Sequence, residues 1–262
     1  MSASATCYNF AMKCIVVANW KMNPATWREA KKLFEAEKKA AERANSVNVV
    51  VAPPAIYLRE LSGAYRGNRV AFAVQDAHFE AGGAHTGSIS LAQAKDSRAR
   101  YVLVGHAERR AEGESDDEIR KKVAAALALS MTPILCVGET VRTEGGGQFD
   151  VVRDQLRLGL ADVSPSALSR TLIVYEPLWT IGAKSTMAPR DMHQMSIFMR
   201  KCAVDTHGEA GRALKILYGG SVDEKNAPAM FAEGNVRGFL VGRASINALE
   251  FGKLLEAIER TR

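Results

Sequence analysis

Glu176 is the residue from which chemistry can first be argued. It follows Thr171-Leu172-Ile173-Val174-Tyr175, an apolar run rich in β-branched and aromatic residues that reads as a strand buried on both faces. A carboxylate at the tip of such a strand is unusual, because Glu is seldom buried without a partner or a purpose. Pro177 has no N–H to donate and ends the ladder. Beyond it, Trp179 and Ile181-Gly182 open a mixed segment that reaches Pro189, so a rigid strand tip is followed by a loop with the makings of a lid. Other strand ends carry further candidates. Asn19 and Lys21 follow the first apolar run; alternate residues of an extended chain share a face, so an orienting amide and a cation can point the same way. His106, in Gly105-His106-Ala107-Glu108-Arg109-Arg110, enters a polar turn that could begin a helix. Backbone N–H groups near such a start bias an imidazole toward its neutral form. Glu108 is a natural partner for Lys21, and Arg109 is available for a salt bridge. Taken singly, Glu176 fits a structural role equally well, and for Asn19, Lys21 and His106 a structural or solvent-facing role is the commoner one.

Two later strand ends offer backbone instead of side chains. Tyr218-Gly219-Gly220-Ser221 and Val241-Gly242-Arg243-Ala244 contain glycines that let the main chain approach a ligand closely. Exposed N–H groups at such loops suit a phosphate, although Gly-Gly-Ser alone reads as a plain turn. The spacing shows no metal-ligand set, no nucleotide fingerprint and no Ser-His-Asp arrangement. A carboxylate base, a neutral imidazole, an ammonium for a developing oxyanion and a phosphate cradle suit one reaction class. That class is proton abstraction beside a carbonyl in a small phosphorylated sugar, through an enediol(ate), with no cofactor.

The elements that must position these groups alternate regularly. Strands are predicted over Cys14 to Ala18, Val47 to Ala52, Val70 to Val74, Tyr101 to Val104, Pro133 to Val137, Thr171 to Tyr175, Lys215 to Tyr218 and Gly238 to Val241. Helical periodicity lies between them, at about Thr26 to Arg43, Gln148 to Leu160, Pro189 to Asp205 and Ala248 to Ile258. Another helix carries Ile119, Val123 and Leu127 behind an acidic entry. Eight strand-then-helix units in 262 residues are the arithmetic of an α/β single-domain (β/α)8 TIM barrel. A doubly wound sheet would want a glycine fingerprint after its first strand, where Asn19-Trp20-Lys21 stands instead. Residues 1–11 read as a flexible N-terminal extension and 12–262 as the catalytic barrel. The glycine run after Glu144 lacks the Lys-Ser/Thr of a phosphate loop and reads as a flexible connection. Met192, Met195 and Met199 fall on helical spacing as core filler.

The net charge of +6 raises nucleic acid as a partner, but the cations sit among acids on helix faces, so neither nucleic acid nor membrane is expected. No apolar run is long enough to span a bilayer. Four unpaired-looking cysteines and no secretory pattern point to a reducing, cytoplasmic setting.

Five segments in order, Ala18-Asn19-Trp20-Lys21-Met22-Asn23, Gly105 to Arg110, Cys136-Val137-Gly138-Glu139, Tyr175-Glu176-Pro177-Leu178-Trp179 and Tyr218-Gly219-Gly220-Ser221, resemble those of the triosephosphate isomerase family. The resemblance runs from about Lys13 to the end of the chain. It implies cofactor-free, metal-free interconversion of dihydroxyacetone phosphate and glyceraldehyde 3-phosphate. By that resemblance Glu176 is the base, His106 a neutral electrophile, Lys21 the stabiliser of the enediolate and Asn19 an orienting donor. Asn19, Lys21, Gly182, Ser221, Gly242 and the N–H of Arg243 would bind substrate. It also implies a lid over Pro177 to Met187 and a homodimer in which the protruding segment Ala77 to Ser90 carries Thr86 to the partner. The chain departs from the family pattern at several points. Ala107 stands where Ser is usual, which predicts a lost hydrogen bond on the base. Lys184 and Arg243 each replace a glycine. Ser88 and His85 replace a Glu and an aromatic residue, which predicts a missing or rewired salt bridge at Arg109. The altered lid and Arg243 leave room for a relative acting on a longer sugar phosphate; a non-catalytic phosphate-binding barrel would not need the base.

Overall fold

A computed structural model of the chain describes residues 13–142, 145–180 and 186–261. The strands are β1 (Cys14–Asn19), β2 (Val47–Ala52), β3 (Val70–Val74), β4 (Tyr101–Val104), β5 (Thr132–Val137), β6 (Leu172–Tyr175), β7 (Lys215–Tyr218) and β8 (Gly238–Val241). All pair in parallel and in sequence order, and β8 returns to β1 with Val17 opposite Leu240, closing the barrel. Every predicted strand is present, with ends shifted by one residue at most. Short apolar runs bounded by Gly, Pro or charge leave little freedom in where a buried parallel strand can begin and stop.

Helices cover the outside, including Trp27–Arg43, Asp116–Ala128, Gly147–Gly159, Pro189–His207 and Ala248–Arg260. Thr26 with Glu29, and Ser115 with Glu118, form reciprocal capping boxes that satisfy otherwise orphaned N–H groups at two helix starts. The glycine run feeds the third of these helices: Gly146 caps it at φ +80°, a conformation glycine adopts without strain. Met192, Met195 and Met199 are buried as expected. Cys14, Cys136 and Cys202 are buried, and Cys136 and Cys202 are free thiols. No helix among the described residues is long and apolar enough to cross a membrane. The expected 1–11 extension lies outside the described residues.

Strand alternation divides the core in two. Val17, Val50, Ala73, Leu103, Ile134, Cys136, Leu172, Val174, Leu217 and Leu240 pack together as the filling of the barrel. Their neighbours Val16, Ala18, Val49, Val51, Ile173, Tyr175 and Ile216 pack outward with the helices. Two residues beyond the last inward side chain of each strand, the same phase arrives at the carboxyl mouth. It brings Asn19, Gln75, Gly105, Gly138, Glu176, Gly219 and Gly242 to one rim.

Candidate active site

Glu176 is 2% exposed at that rim. Its backbone N–H donates to the Val137 carbonyl at 2.8 Å, which continues the β5–β6 ladder by one step and fixes where the side chain leaves the strand. The position depends on two missing side chains. A Cβ on Gly138 would stand 2.0 Å from the Glu176 carbonyl oxygen, and one on Gly219 would stand 2.5 Å from Val174 Cγ1 and 3.0 Å from Glu176 Cγ. One carboxylate oxygen accepts the Ala107 N–H at 3.2 Å and the other lies 3.3 Å from His106 Nε2. Burial lifts the Glu176 pKa above the usual carboxylate value; His106, the Ala107 N–H, Lys21 and the Cys136 thiol act in the opposite direction. The expected loss at position 107 is therefore partial. A serine hydroxyl is absent, but the backbone donor holds the carboxylate.

His106 is buried and caps the short helix Ala107–Ala111. The N–H of Glu108 donates to its Nδ1 at 3.2 Å. Accepting there requires a lone pair on Nδ1, so the ring proton is assigned to Nε2, on the side facing Glu176 and the cavity. Arg110 braces the same turn: its Nε donates to the Gly105 carbonyl at 2.8 Å and its Nη1 pairs with Asp116 at 2.7 Å.

Lys21 has φ +52°, an uncommon conformation for a residue with a side chain. Its N–H donates to Asn19 Oδ1 at 3.0 Å, and its carbonyl accepts from Gln75 Nε2 at 2.8 Å. These two bonds hold the bend that brings Nζ to within 2.5 Å of Glu108 Oε1, as the sequence suggested. Asn19 is itself buried, and its carbonyl accepts from the Ser245 hydroxyl at 3.1 Å.

Asn19, Lys21, His106, Glu176, Ser221, Gly242 and Arg243 all line one cavity of about 240 Å³, together with Gly219 and Gly220. Arg243 is exposed at its rim, and its side chain forms no hydrogen bond or ion pair with the described residues. Gly182, the predicted ligand from the lid, lies outside the described residues, as does Lys184. What is described of the lid segment is anchored. The Glu139 carboxylate accepts from Trp179 Nε1 at 2.8 Å and from the Tyr175 hydroxyl at 2.9 Å, and its carbonyl accepts the Leu178 N–H at 3.1 Å.

Sequence reasoning missed Gln75, the brace that Arg110 supplies and the crowding at Gly138 and Gly219. Gln75 stands two residues beyond inward-facing Ala73, so strand parity alone could have found it. Arg109 is rewired: its Nε pairs with Asp76 of the same chain at 3.1 Å and its Nη1 with Glu112 at 2.5 Å. Asp76 also holds Lys122, and so ties the base of the protruding segment to the helix behind it.

A buried carboxylate facing an imidazole, with an ammonium beside both, is an arrangement that can move protons on a small bound molecule. A barrel with this rim belongs among the acid–base (β/α)8 enzymes. Comparison with known proteins narrows that class. The family model described as triosephosphate isomerase matches residues 14–258. The chain is 39% identical over 246 residues to the triosephosphate isomerase of Endomicrobium trichonymphae, covering 93% of this chain and 98% of the relative. It is 36% identical over 248 residues to that of Paracidovorax citrulli (strain AAC00-1), covering 94% and 98%. The chain belongs to the triosephosphate isomerase family, a family of isomerases.

Proposed function

We propose that the chain catalyses the reversible interconversion of dihydroxyacetone phosphate and D-glyceraldehyde 3-phosphate through an enediol(ate), without cofactor or metal. The observation that carries this reading is the buried Glu176 carboxylate beside a His106 ring whose Nδ1 is pinned as an acceptor. Glu176 removes the proton from the carbon next to the carbonyl and returns it to the neighbouring carbon; a pKa raised by burial makes it a stronger base than a solvated carboxylate. His106 Nε2–H polarises the carbonyl and passes protons between the two oxygens. A Glu base paired with a neutral His is the standard example of pKa tuning in triosephosphate isomerase, and the roles of these two residues are carried over from that family. Lys21 offsets the charge that develops on oxygen, oriented through Asn19. For Nε2 to reach substrate, Glu176 must give up its present position against the ring and the Ala107 N–H.

The phosphate lies against backbone N–H groups of Ser221, Gly242 and Arg243, with Gly182 as a further ligand carried over from the family. A cavity below the ~300 Å³ typical of drug-sized pockets suits a substrate this small. The catalytic barrel spans 12–262, and the setting is cytoplasmic.

The chain works as a homodimer. Thr86 is exposed on the protruding segment. A groove of about 520 Å³, lined by Lys21, Met22, Gln75 and Gly87, runs beside the active site and is suited to receive that segment from a second copy. Met22 is 94% exposed and Ile56 77%, apolar surface that a second copy can cover. With Arg109 held by Asp76, the interface rests on this apolar contact and on Thr86 instead of the expected salt bridge. Sedimentation giving only monomer at micromolar concentration would overturn the dimer.

The test of function is the initial rate of glyceraldehyde 3-phosphate isomerisation beside a Glu176→Gln variant. The parent should turn over at ~10² s⁻¹ or more, and the variant about 10³-fold more slowly. A variant within tenfold of the parent would show that another group is the base.

A further inference from the structure

Two of the five histidines lie outside the catalytic cavity on the protruding segment between β3 and the helix Leu91–Asp96. We propose that His78, Glu80 and His85 form a binding site for a divalent transition-metal ion, zinc by preference, which clips this segment to its own base. One ligand atom from each residue lies within 4.8 Å of the other two. The three are already oriented on one another: His85 Nε2 lies 2.9 Å from Glu80 Oε2, and the Glu80 N–H donates to His78 Nδ1 at 3.1 Å. The two imidazoles stack with centroids 3.9 Å apart.

The backbone fixes one ligand and leaves two adjustable. His78 sits at the neck of the segment, where its N–H donates to the Ile89 carbonyl at 2.7 Å and its carbonyl accepts the Leu91 N–H at 3.3 Å. Glu80 and His85 stand on the arm beyond it. Between them Gly83 has φ +144°, and a Cβ there would lie 3.2 Å from the His85 ring, so glycine leaves room for the imidazole to fold back on the neck.

Two neutral imidazoles and one carboxylate are the donor set of zinc sites with three protein ligands and water in the fourth place; calcium and magnesium take oxygen donors. Donors about 2.0–2.2 Å from a tetrahedral ion lie roughly 3.3–3.5 Å apart, so the cluster has to contract by about 1.5 Å at most. The rings must also slide out of their stack, so that their in-plane lone pairs converge on the ion. None of the three side chains is buried, and the movement disturbs no packed core. The spacing His-x-Glu-x4-His did not read as a metal-ligand set in the sequence, because only the fold-back of the arm brings its two ends together. The site does not depend on the isomerase reading.

The test is calorimetric titration of the full chain with Zn²⁺ in a non-chelating buffer, beside a His78→Ala/His85→Ala double variant and Glu80→Gln. Expected are one ion per chain with a micromolar or tighter Kd, an affinity at least 30-fold lower in the double variant and about tenfold lower in Glu80→Gln. Co²⁺ should give ligand-field absorption in the parent that the double variant lacks. Equal binding by parent and variants, or parent binding no tighter than millimolar, would overturn the site. Glu80→Gln decides the matter if the double variant fails to fold.

Discussion

The two sides of the active-site mouth are built by different means. On the side of β1, β4 and β6, every functional side chain has a partner that fixes it: Gln75 and Asn19 for Lys21, the Glu108 N–H for His106, and the Ala107 N–H for Glu176. On the side of β7 and β8 stand Gly219, Gly220, Ser221, Gly242 and an Arg243 without a partner among the described residues. Proton transfer demands a known direction for each lone pair and proton, so its groups must be braced. Anion binding demands only N–H groups and space, so its wall can be nearly bare.

If that contrast is right, breaking the braced side should cost turnover and altering the bare side should cost affinity. The largest effect after loss of the base is expected for His106→Gln, which keeps a donor but not its direction: kcat should fall about 10²–10³-fold with KM changed little. A comparable rise in KM would mean the ring serves binding instead. Gly219→Ala comes next. Its Cβ would press on Val174 and Glu176, so a displacement of the base should lower kcat about 10- to 100-fold although no chemical group is lost. Normal turnover in this variant would show that the crowding relaxes without moving the carboxylate.

Arg243→Gly tests the bare side. It should raise KM about 3- to 10-fold at low salt while leaving kcat within twofold, and the difference should shrink as salt screens the guanidinium. A KM unchanged at every salt concentration would direct that side chain away from the phosphate.

The smallest expected effect lies outside the mouth altogether. Glu37 is buried, with one oxygen accepting from Trp20 Nε1 at 3.0 Å and the other without a partner. Burial raises its pKa well above the ordinary value. The folded chain therefore binds this proton more tightly than the unfolded chain does. The associated stability is present below pH ~4.5 and is lost as pH rises through the folded-state pKa. Glu37→Gln should raise Tm by about 2–4 °C at pH 8, roughly 1 kcal/mol for a chain of this size, and by less at pH 5. Equal changes at both values would place the effect in packing and not in charge.

The sequence carried the braced side's side chains and little of its bracing. Strand ends could be read because apolar runs stop where a Gly, Pro or charged residue begins, and Asn19, Lys21, His106 and Glu176 follow such stops. Even the Lys21–Glu108 pair was foreseeable from opposite charges just beyond two strand ends. The reach of Gln75 to a carbonyl 54 residues away was not, because it depends on how two strands are staggered. Nor was the contact that makes Gly219 necessary, since a glycine's value lies in what would collide with a side chain it lacks. Arg109 is rewired, as its altered surroundings suggested, but its partner Asp76 could not be named from the sequence.

Alternation along the strands sets a rule for how this molecule can change. Inward Val174 carries Glu176 to the rim because the two stand two positions apart on the strand. Deleting one residue at that point would turn the carboxylate toward the helices and bring its neighbour to the mouth. The same deletion in a helix-to-strand connection would leave the rim untouched. Lineages of this chain can therefore lengthen and shorten their outer connections freely while the spacing inside each strand stays frozen to the residue.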